Sequence, residues 1–517
     1  MLDNAHSMKF FLPEVILSLG VLAILTADLF AKRPSRMRSF GIALASLLGA
    51  GIVTLVTMDG QRRGLFGGLI ARDPFSDFFK LLFSATAIFV GIAATRARDA
   101  IEYRDVEDKD KESGEFYALL LSITIGMYLM AASTDLLMAF LSLEFVSIVS
   151  YIMAGFKRRD RRSSEAALKY VIYGSVAAGV MLYGMSLLYG MSGSTSMATI
   201  RAVAATTPAT FTLITAVVLC LAGFGYKIAA VPFHMWCPDV YEGAPTPVTA
   251  FLAVGPKAAG FALLIRFFGD GSLGGAIPAV LHGEVLNVAP WPLMLALISA
   301  ATMTLGNLAA IVQTNVKRML AYSSIAHAGY LILGLCAESP EGEQAILIYL
   351  VTYLFMTLGA FLVLMALNDA GQGETIDDFK GIGFRARLPS LVLAVSLFSL
   401  TGLPPFAGFF GKLYLFAAVL QKGGSMLTAL ALIGILNSAI SLYYYARLLR
   451  AMYFDKPVDG SEEPIKVAPV HAVSMSIMAV ASLTLWMVWT PLVNFAHASL
   501  AQWVPHVVAP AVQAMLP

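Results

Sequence analysis

Long apolar runs, separated by short polar segments, fill most of this chain. A helix needs about 20 apolar residues to cross the hydrocarbon layer of a bilayer, and by that measure the sequence predicts about fourteen spans. The predicted spans lie near 9–31, 39–58, 75–97, 114–132, 134–155, 164–190, 209–232, 245–268, 290–312, 318–337, 344–367, 388–420, 427–452 and 467–493. The pattern therefore predicts an all-α polytopic membrane protein.

The composition supports this interpretation. A chain of 517 residues would normally form two or three soluble domains. Here 58% of the residues are hydrophobic and only 13% are charged, too few to cover the surface of a soluble protein of this size.

Charge and cysteine content exclude several kinds of site. The formal net charge is +2, so we expect no broad basic face and no nucleic-acid partner. Cys220, Cys237 and Cys336 lie far apart and form no C-x-x-C pair, which argues against an iron–sulfur cluster, a zinc site or a disulfide framework. No G-x-G-x-x-G follows a strand-like run. We therefore expect no cofactor and no metal ion in this chain.

Positive charges predict the orientation of the spans. With the amino terminus outside, 23 Lys and Arg residues fall in the inside segments and 7 in the outside segments, as the positive-inside rule requires. Both termini then face the outside. Asp3, Lys9 and Glu14 lie ahead of or inside the first apolar run, so we expect a retained helix rather than a signal peptide.

Several ionisable side chains lie inside the predicted spans. The deepest four are Glu144, Lys227, Lys257 and Lys412. A charge at the bilayer centre costs at least about 2.5–3.5 kcal/mol, so such groups must be paired or hydrated. Lys80 and Lys169 lie nearer to predicted helix ends, and we expect them to extend to the interface.

Prolines accompany two of the deep lysines. Lys227 comes five residues before Pro232, and Lys412 comes seven residues after Pro404 and Pro405. Proline breaks helices, and broken ends persist in a membrane only where they line protein or water. Broken helices beside buried charges are typical of transporters. A simple kink would explain the prolines but not the lysines. We therefore predict that spans seven and twelve are broken.

Two matched spacings indicate an internal repeat. Lys227 and Lys412 are 185 residues apart, and Glu144 and His327 are 183 apart, in spans seven and twelve and in spans five and ten. Five helices per repeat is an odd number, so the second copy would be inverted. Chance is the alternative explanation. The predicted organisation is three helices in 1–110, a first repeat (spans four to eight) in 111–268, a second repeat (spans nine to thirteen) in 290–455 and a last helix in 456–517.

The buried groups suggest a proton relay. A carboxylate at Glu144, about 7 Å from Lys227, would stabilise the charged lysine by about 2.4 kcal/mol at an effective dielectric constant of about 20. Moving the carboxylate away would then favour release of the proton. Lys257 lies one helix further on, Lys412 would be the far station, and His327 could bridge the two halves, because histidine titrates near neutral pH.

Three long strings carry a resemblance to a known family. They are Lys317-Arg-Met-Leu-Ala-Tyr-Ser-Ser-Ile-Ala-His-Ala-Gly-Tyr330, Val231-Pro-Phe-His-Met-Trp-Cys-Pro-Asp-Val-Tyr-Glu-Gly-Ala-Pro-Thr-Pro-Val-Thr249 and Leu403-Pro-Pro-Phe-Ala-Gly-Phe-Phe-Gly-Lys412. The chain resembles the antiporter-like subunits of respiratory NADH:quinone oxidoreductase (complex I), strongly over 115–455. Within them it is most similar to subunit N. Subunit M typically has glutamate where this chain has Lys412, and the segment after span thirteen is too short for the lateral helix of subunit L.

The resemblance implies a function and a set of roles. It implies a fold of fourteen helices with two inverted five-helix repeats, in a membrane-arm subunit of a proton-translocating enzyme of the bacterial cell inner membrane. Glu144 would be the partner of Lys227, Lys257 the connecting residue and Lys412 the terminal lysine. The partners would be the other membrane-arm subunits and the lipid bilayer. NADH, FMN, iron–sulfur clusters and quinone would be handled by other subunits, with no redox chemistry in this chain.

Two other functions fit the same sequence features. A subunit of a multisubunit Na⁺/H⁺ antiporter or of a membrane-bound hydrogenase would share the fold. The other alternative is a purely structural membrane scaffold, which predicts that the buried charges can be removed without loss of proton pumping.

Overall fold

A computed structural model describes residues 4–30, 35–97, 111–157, 159–206, 210–268, 277–281, 284–288, 290–457 and 463–500. The structure is almost entirely helical. Its helices are α1 Asn4–Phe10, α2 Leu12–Phe30, α3 Arg36–Val56, α4 Pro74–Ala94, α5 Lys111–Ala132, α6 Leu136–Ala154, α7 Arg161–Ser192, α8 Met197–Thr206, α9 Phe211–Ile228, α10 Trp236–Gly243, α11 Thr246–Phe268, α12 Trp291–Ile311, α13 Val316–Cys336, α14 Pro340–Asp369, α15 Ile382–Arg385, α16 Arg387–Thr401, α17 Ala407–Lys422, α18 Ser425–Tyr453, α19 Pro469–Thr484 and α20 Trp489–Leu500. Three short 3-10 helices cover Phe66–Gly68, Ile376–Phe379 and Leu485–Val488.

Thirteen helical stretches in the described part of the chain are long and apolar enough to cross a membrane, counting α19 to α20 as one. The predicted twelfth span is instead divided between two shorter helices, α16 and α17. The continuous apolar block at 114–155 separates into α5 and α6, as predicted. Asp135 separates the two helices, because its side chain accepts a hydrogen bond from the backbone of Leu137 (2.9 Å) and caps the start of α6. The predicted all-α membrane fold is confirmed.

In the described part of the chain, two antiparallel hairpins interrupt the helices. In the first, β1 (Arg63–Leu65) pairs with β2 (Ile70–Arg72) between α3 and α4. In the second, β3 (Ile277–Leu281) pairs with β4 (Glu284–Val288) between α11 and α12. The first hairpin marks the end of the bundle at which α3 ends and α4 begins, which we name the hairpin end.

The helices differ strongly in burial. α11 is buried over its whole apolar window, and α13 and α14 are buried over most of theirs, whereas α2, α3 and α18 leave most of theirs accessible. A helix surrounded by other helices can carry polar side chains that meet protein partners rather than lipid. The central helices α11 and α13 carry Lys257 and His327.

The two predicted breaks occur where the prolines lie. α9 ends at Ile228, and the next residue, Ala229, has a left-handed backbone (φ 58°). α16 ends at Thr401, followed by Gly402 with φ 87°. Pro232 and the Pro404-Pro405 pair follow within a few residues and supply no backbone N–H to continue either helix.

Candidate functional site

Lys412 lies in the second turn of α17 and closes the break of the twelfth span. Its ammonium donates hydrogen bonds to the carbonyls of Leu400 (3.0 Å) and Thr401 (2.9 Å), and to Ser438 Oγ on α18 (2.8 Å). The two carbonyls belong to the last turn of α16, whose acceptors have no partner within their own helix. A cation at a helix carboxyl end is also favoured by the helix dipole. The buried lysine therefore satisfies a helix end as well as its own charge.

Lys257 lies at the middle of α11 and reaches α13. Its Nζ donates to the carbonyl oxygen of Ser324 (2.7 Å) and also forms a hydrogen bond with Ser324 Oγ. The hydroxyl of Tyr353 on α14 donates to the same Ser324 Oγ (2.8 Å). This lysine is buried, and among the described residues it has no carboxylate within ion-pair distance and donates to neutral acceptors.

Lys227 lies at the end of α9, beside α6. Its Nζ donates to Ser147 Oγ (3.0 Å), and Glu144 lies three residues before Ser147 on the same helix. Within the described residues, Glu144 and Lys227 form no ion pair at 4.0 Å or less. Glu144 is half-buried, unlike the lysines. The structure thus places Ser147 Oγ against Lys227 Nζ, with Glu144 one turn away on the same helix, and the pairing of Glu144 with Lys227 stays a prediction.

The first two lysines are linked by the packing of α9 on α11. A Cβ added to Gly260 would lie 3.3 Å from Lys227 Cγ, so the stem of Lys227 packs directly on this glycine. Gly260 is three residues, or about 4.5 Å of helix rise, from Lys257. The stem of Lys227 therefore packs about one turn from Lys257 at the interface between α9 and α11.

His327 connects the second and third lysines. Its Nδ1 shares a hydrogen bond with the hydroxyl of Tyr349, and its ring packs on Tyr330 (5.7 Å between ring centres). Lys412 Nζ lies 4.6 Å from the centre of that Tyr330 ring. Ser324, His327 and Tyr330 follow one another at three-residue intervals and so share a face of α13. This face begins at the partner of Lys257 and ends at Lys412.

The hydroxyl partners were missed by the sequence argument. They are Ser147, Ser324, Tyr349, Tyr353 and Ser438. Serine and tyrosine are common in membrane helices, and nothing in the local pattern distinguishes these from others. The three-residue spacing around His327 was the one available signal.

The expectation that Lys80 reaches the interface is wrong. Its side chain is 2% exposed, and its Nζ lies 2.7 Å from Glu14 Oε1 on α2. A buried carboxylate on a neighbouring helix removes the need to reach water. Lys169 keeps 38% of its side chain exposed and pairs with Glu165 (2.8 Å) and Asp239 (2.7 Å), as a lysine at the edge of the bundle does.

A charged cavity of about 310 Å³ lies beside α10, near the break after α9. It is lined by Arg162, Glu165, Ala166, Lys169, Asp239, Glu242 and Arg318. Burial would raise the pKa of Asp239, but hydrogen bonds from Lys169 (2.7 Å) and Arg318 (2.5 Å) outweigh it and hold that pKa below its usual range. The lining residues belong to α7, α10 and α13, so the cavity lies where these three helices meet.

A metal site was not expected. Among the residues that the structure describes, no group of three His, Cys, Asp or Glu could hold a metal ion. The absence of a cofactor and a metal stays a prediction.

A fold of this kind is compatible with several functions, and a match to a known family narrows them. The model of the family described as NADH:quinone oxidoreductase/Mrp antiporter, TM, matches residues 133–441, which include all five relay candidates. The chain belongs to this family.

Individual relatives narrow the position within the family. NADH-quinone oxidoreductase subunit N of Anaeromyxobacter sp. is 47% identical over 515 residues, with 96% of this chain and 97% of the relative covered. A chain of respiratory complex I from Thermus thermophilus is 32% identical with a TM-score of 0.73, and covers 93% of this chain and 99% of its own length. The predicted similarity to subunit N is confirmed.

A more distant structure shares the fold alone. The Mrp complex from Dietzia sp. contains a chain that is 19% identical to this one, with a TM-score of 0.80. The match covers 96% of this chain and 97% of the Mrp chain. At this identity the likeness says nothing about what either chain transports.

Proposed function

We propose that Glu144, Lys227, Lys257, His327 and Lys412 form a proton relay in a membrane-arm subunit of an H⁺-translocating NADH:quinone oxidoreductase. The subunit is supported by the subunit N relatives, which match this chain over nearly its whole length, and by the complex I chain. The relay is supported by the order in which the structure brings these five residues together. The observation that carries it is the face of α13 between Lys257 and Lys412.

Groups that can exchange protons lie beside the lysines of the relay. Ser147 Oγ accepts from Lys227, and Glu144 is close enough to influence its charge. On α13, Ser324 accepts from Lys257, and His327 lies one turn away. Hydroxyl and imidazole groups both donate and accept, so they can pass a proton between ammonium groups that do not touch.

The ordering of charges suggests how the relay would switch. Among the described residues, the hydrogen bonds of Lys257 and of Lys412 go to carbonyl and hydroxyl oxygens, and the Tyr330 ring also lies beside Lys412. A buried ammonium with neutral partners releases its proton more readily than one held by a carboxylate. A change in the Glu144 charge would therefore alter Lys227 first, and the neutral-partnered lysines would follow.

The wider organisation is part of the same proposal. The two inverted repeats would span 111–268 and 290–455, with three helices before them in 1–110 and one after them in 456–517. Both termini would face the periplasmic side of the bacterial inner membrane. The other membrane-arm subunits and the lipid bilayer would be the partners, and NADH, FMN, iron–sulfur clusters and quinone would be bound by other subunits.

The proposal is tested by removing the first charge pair. Lys227→Met and Glu144→Gln keep the side-chain length, so the complex should assemble normally on native gels. NADH-driven proton uptake by inverted membrane vesicles should fall strongly in both. Lys380→Met is the matched control, since Lys380 pairs with Asp377 at the surface (2.7 Å) and should pump normally. Full uptake in the Lys227→Met vesicles would contradict the relay and favour a structural scaffold.

A further inference from the structure

Six charged side chains outside the relay are buried together at the hairpin end, where α2, α4 and α11 meet. Each is at most 3% exposed. The three acids and three bases are Glu14, Arg72, Asp73, Asp77, Lys80 and Arg266. Burying an ion costs roughly several kcal/mol even after the protein relaxes, so good pairing is needed to offset this cost. The pairing in this cluster is unequal.

One half of the cluster is fully bonded. The guanidinium of Arg266 donates two hydrogen bonds of 2.7 Å to the carboxylate of Asp73, and its Nε donates to the carbonyl of Ala131 (2.8 Å). Asp73 also accepts from the backbone of Ser76 (2.9 Å) and begins α4. This half ties α4 to α11 and needs no other explanation than packing.

The other half has polar atoms without partners. Lys80 Nζ lies 2.7 Å from Glu14 Oε1, but Glu14 Oε2 has no hydrogen-bond partner among the described residues. Arg72 Nε lies 3.5 Å from Asp77 Oδ1, and that oxygen and Arg72 Nη1 also lack hydrogen bonds there. An unpaired buried polar atom costs about 1–3 kcal/mol. Three such atoms in one place indicate a site that binds water and protons.

Three residues of the cluster lie with Ser84 on a polar stripe that descends into the bundle. Asp73, Asp77, Lys80 and Ser84 are spaced by four, three and four residues, which places them on one face of α4. At a rise of 1.5 Å per residue the stripe is about 16 Å long. That is roughly half of the hydrocarbon thickness of about 30 Å.

Hydroxyl groups continue the stripe at its inner end. Ser84 Oγ forms a hydrogen bond with the hydroxyl of Tyr128 on α5, and Lys80 Nζ lies 5.8 Å from the centre of the Tyr128 ring. α5 packs on both α6 and α11, the helices that carry Glu144 and Lys257. The stripe therefore ends one helix away from the relay.

We propose that Glu14, Asp77 and Lys80 form a second proton-binding site, and that the stripe on α4 conducts protons between the hairpin end and the middle of the bundle. The ligand is a proton with associated water. This inference rests on the proposed function. It adds a path in the three helices that precede both repeats, and under the proposed orientation the hairpin end faces outside.

The transfer step involves protons alone. A proton from water at the hairpin end binds Glu14 Oε2, which cancels the carboxylate charge facing Lys80. Lys80 then releases one of its three ammonium protons to water beside the Ser84–Tyr128 hydroxyl pair. Glu14 returns its proton to Lys80, and the ion pair is restored. One proton has moved inward, and the reverse sequence moves one outward.

The first test neutralises the pair as a whole. The double variant Glu14→Gln with Lys80→Met leaves no unpaired buried charge, so we expect assembly on native gels. Proton uptake by NADH-energised inverted vesicles should fall to half or less. The control is Asp59→Asn with Arg63→Gln, an exposed ion pair (2.6 Å) at the same end, which should leave uptake unchanged. Assembly with wild-type uptake in the first variant would show that the pair is only a clamp.

Two further measurements decide the matter if the double variant fails to assemble. Ser84→Ala removes one hydroxyl from the inner end of the stripe, and we expect at least a twofold loss of uptake, whereas full uptake would overturn the proposal. Dicyclohexylcarbodiimide modifies carboxyl groups that carry a proton in apolar surroundings. In the purified complex we expect mass spectrometry to find the adduct on Glu14. If no adduct forms on Glu14, the second site is refuted even when Lys227→Met confirms the relay. If the adduct forms while Lys227→Met pumps normally, the relay is refuted and the second site is not.

Discussion

Replacing Lys412 with alanine should destabilise the protein as well as remove a proton carrier, because its ammonium closes the broken end of α16. The side chain makes three hydrogen bonds of 2.8–3.0 Å, two of them to the carbonyls of Leu400 and Thr401. A buried acceptor left unpaired costs about 1–3 kcal/mol, so the two carbonyls together account for about 2–6 kcal/mol. Removing the ammonium also relieves its own desolvation. We therefore expect a net loss near the lower limit, about 2 kcal/mol.

The assay compares two replacements of this lysine. Stability of a multisubunit membrane complex is measured as a rate, here the loss of this chain from the detergent-solubilised complex on native gels at fixed temperature. A loss of about 2 kcal/mol corresponds to a roughly 30-fold shorter half-life for Lys412→Ala. Lys412→Arg retains a cation that can donate to the carbonyls, so its half-life should stay near wild type. Proton uptake should be reduced in both, and more mildly in Lys412→Arg, although a guanidinium does not release its proton.

Either of two results would refute this reasoning. If Lys412→Ala is as long-lived as wild type, the carbonyls at the end of α16 do not depend on the lysine. If Lys412→Arg pumps at the full rate, Lys412 does not need to lose its proton and is a structural residue.

Three further predictions concern neighbouring features. Gly402→Ala introduces an alanine in the left-handed region whose Cβ would lie 3.0 Å from Lys412 Cδ, whereas Gly193→Ala has a similar left-handed backbone (φ 65°) but nothing within 4 Å. Both should shorten the half-life, and only Gly402→Ala should reduce proton uptake. Tyr349→Phe removes the hydroxyl that His327 Nδ1 contacts, so uptake should fall severalfold with normal assembly on native gels, and unchanged uptake would exclude this hydroxyl from the relay. The lowered pKa of Asp239 means that its ion pairs stabilise the folded chain above the unfolded value of about 3.9 and are lost only as the pH falls through the lowered value. In wild type, therefore, this contribution should not change between pH 8 and pH 5, and an Asp239→Asn variant whose half-life differs from wild type at pH 8 but matches it at pH 5 would contradict this.

The sequence by itself determined the membrane fold, the breaks and the identity of the central charges. Insertion into a bilayer depends on the apolar length of each segment, which is a property of the chain alone, so thirteen spanning helices and a broken twelfth span follow from local runs of residues. Proline and left-handed residues end helices for equally local reasons, as after Lys227 and before Lys412. A lysine inside an apolar span costs so much free energy to insert that it can be recognised from the sequence alone.

Only the tertiary structure decided which partners those charges meet. Lys257 and Ser324 are 67 residues apart, and Lys80 and Glu14 are 66 apart, and their contacts depend on how far each helix is rotated and shifted against its neighbours. Many rotations bury a similar amount of apolar surface in lipid or protein, so hydrophobic pattern alone does not select one. That is why Lys80 was expected at the interface and lies instead in a buried ion pair. It is also why the face of α13 that joins Lys257 to Lys412 became visible only once the helices were packed.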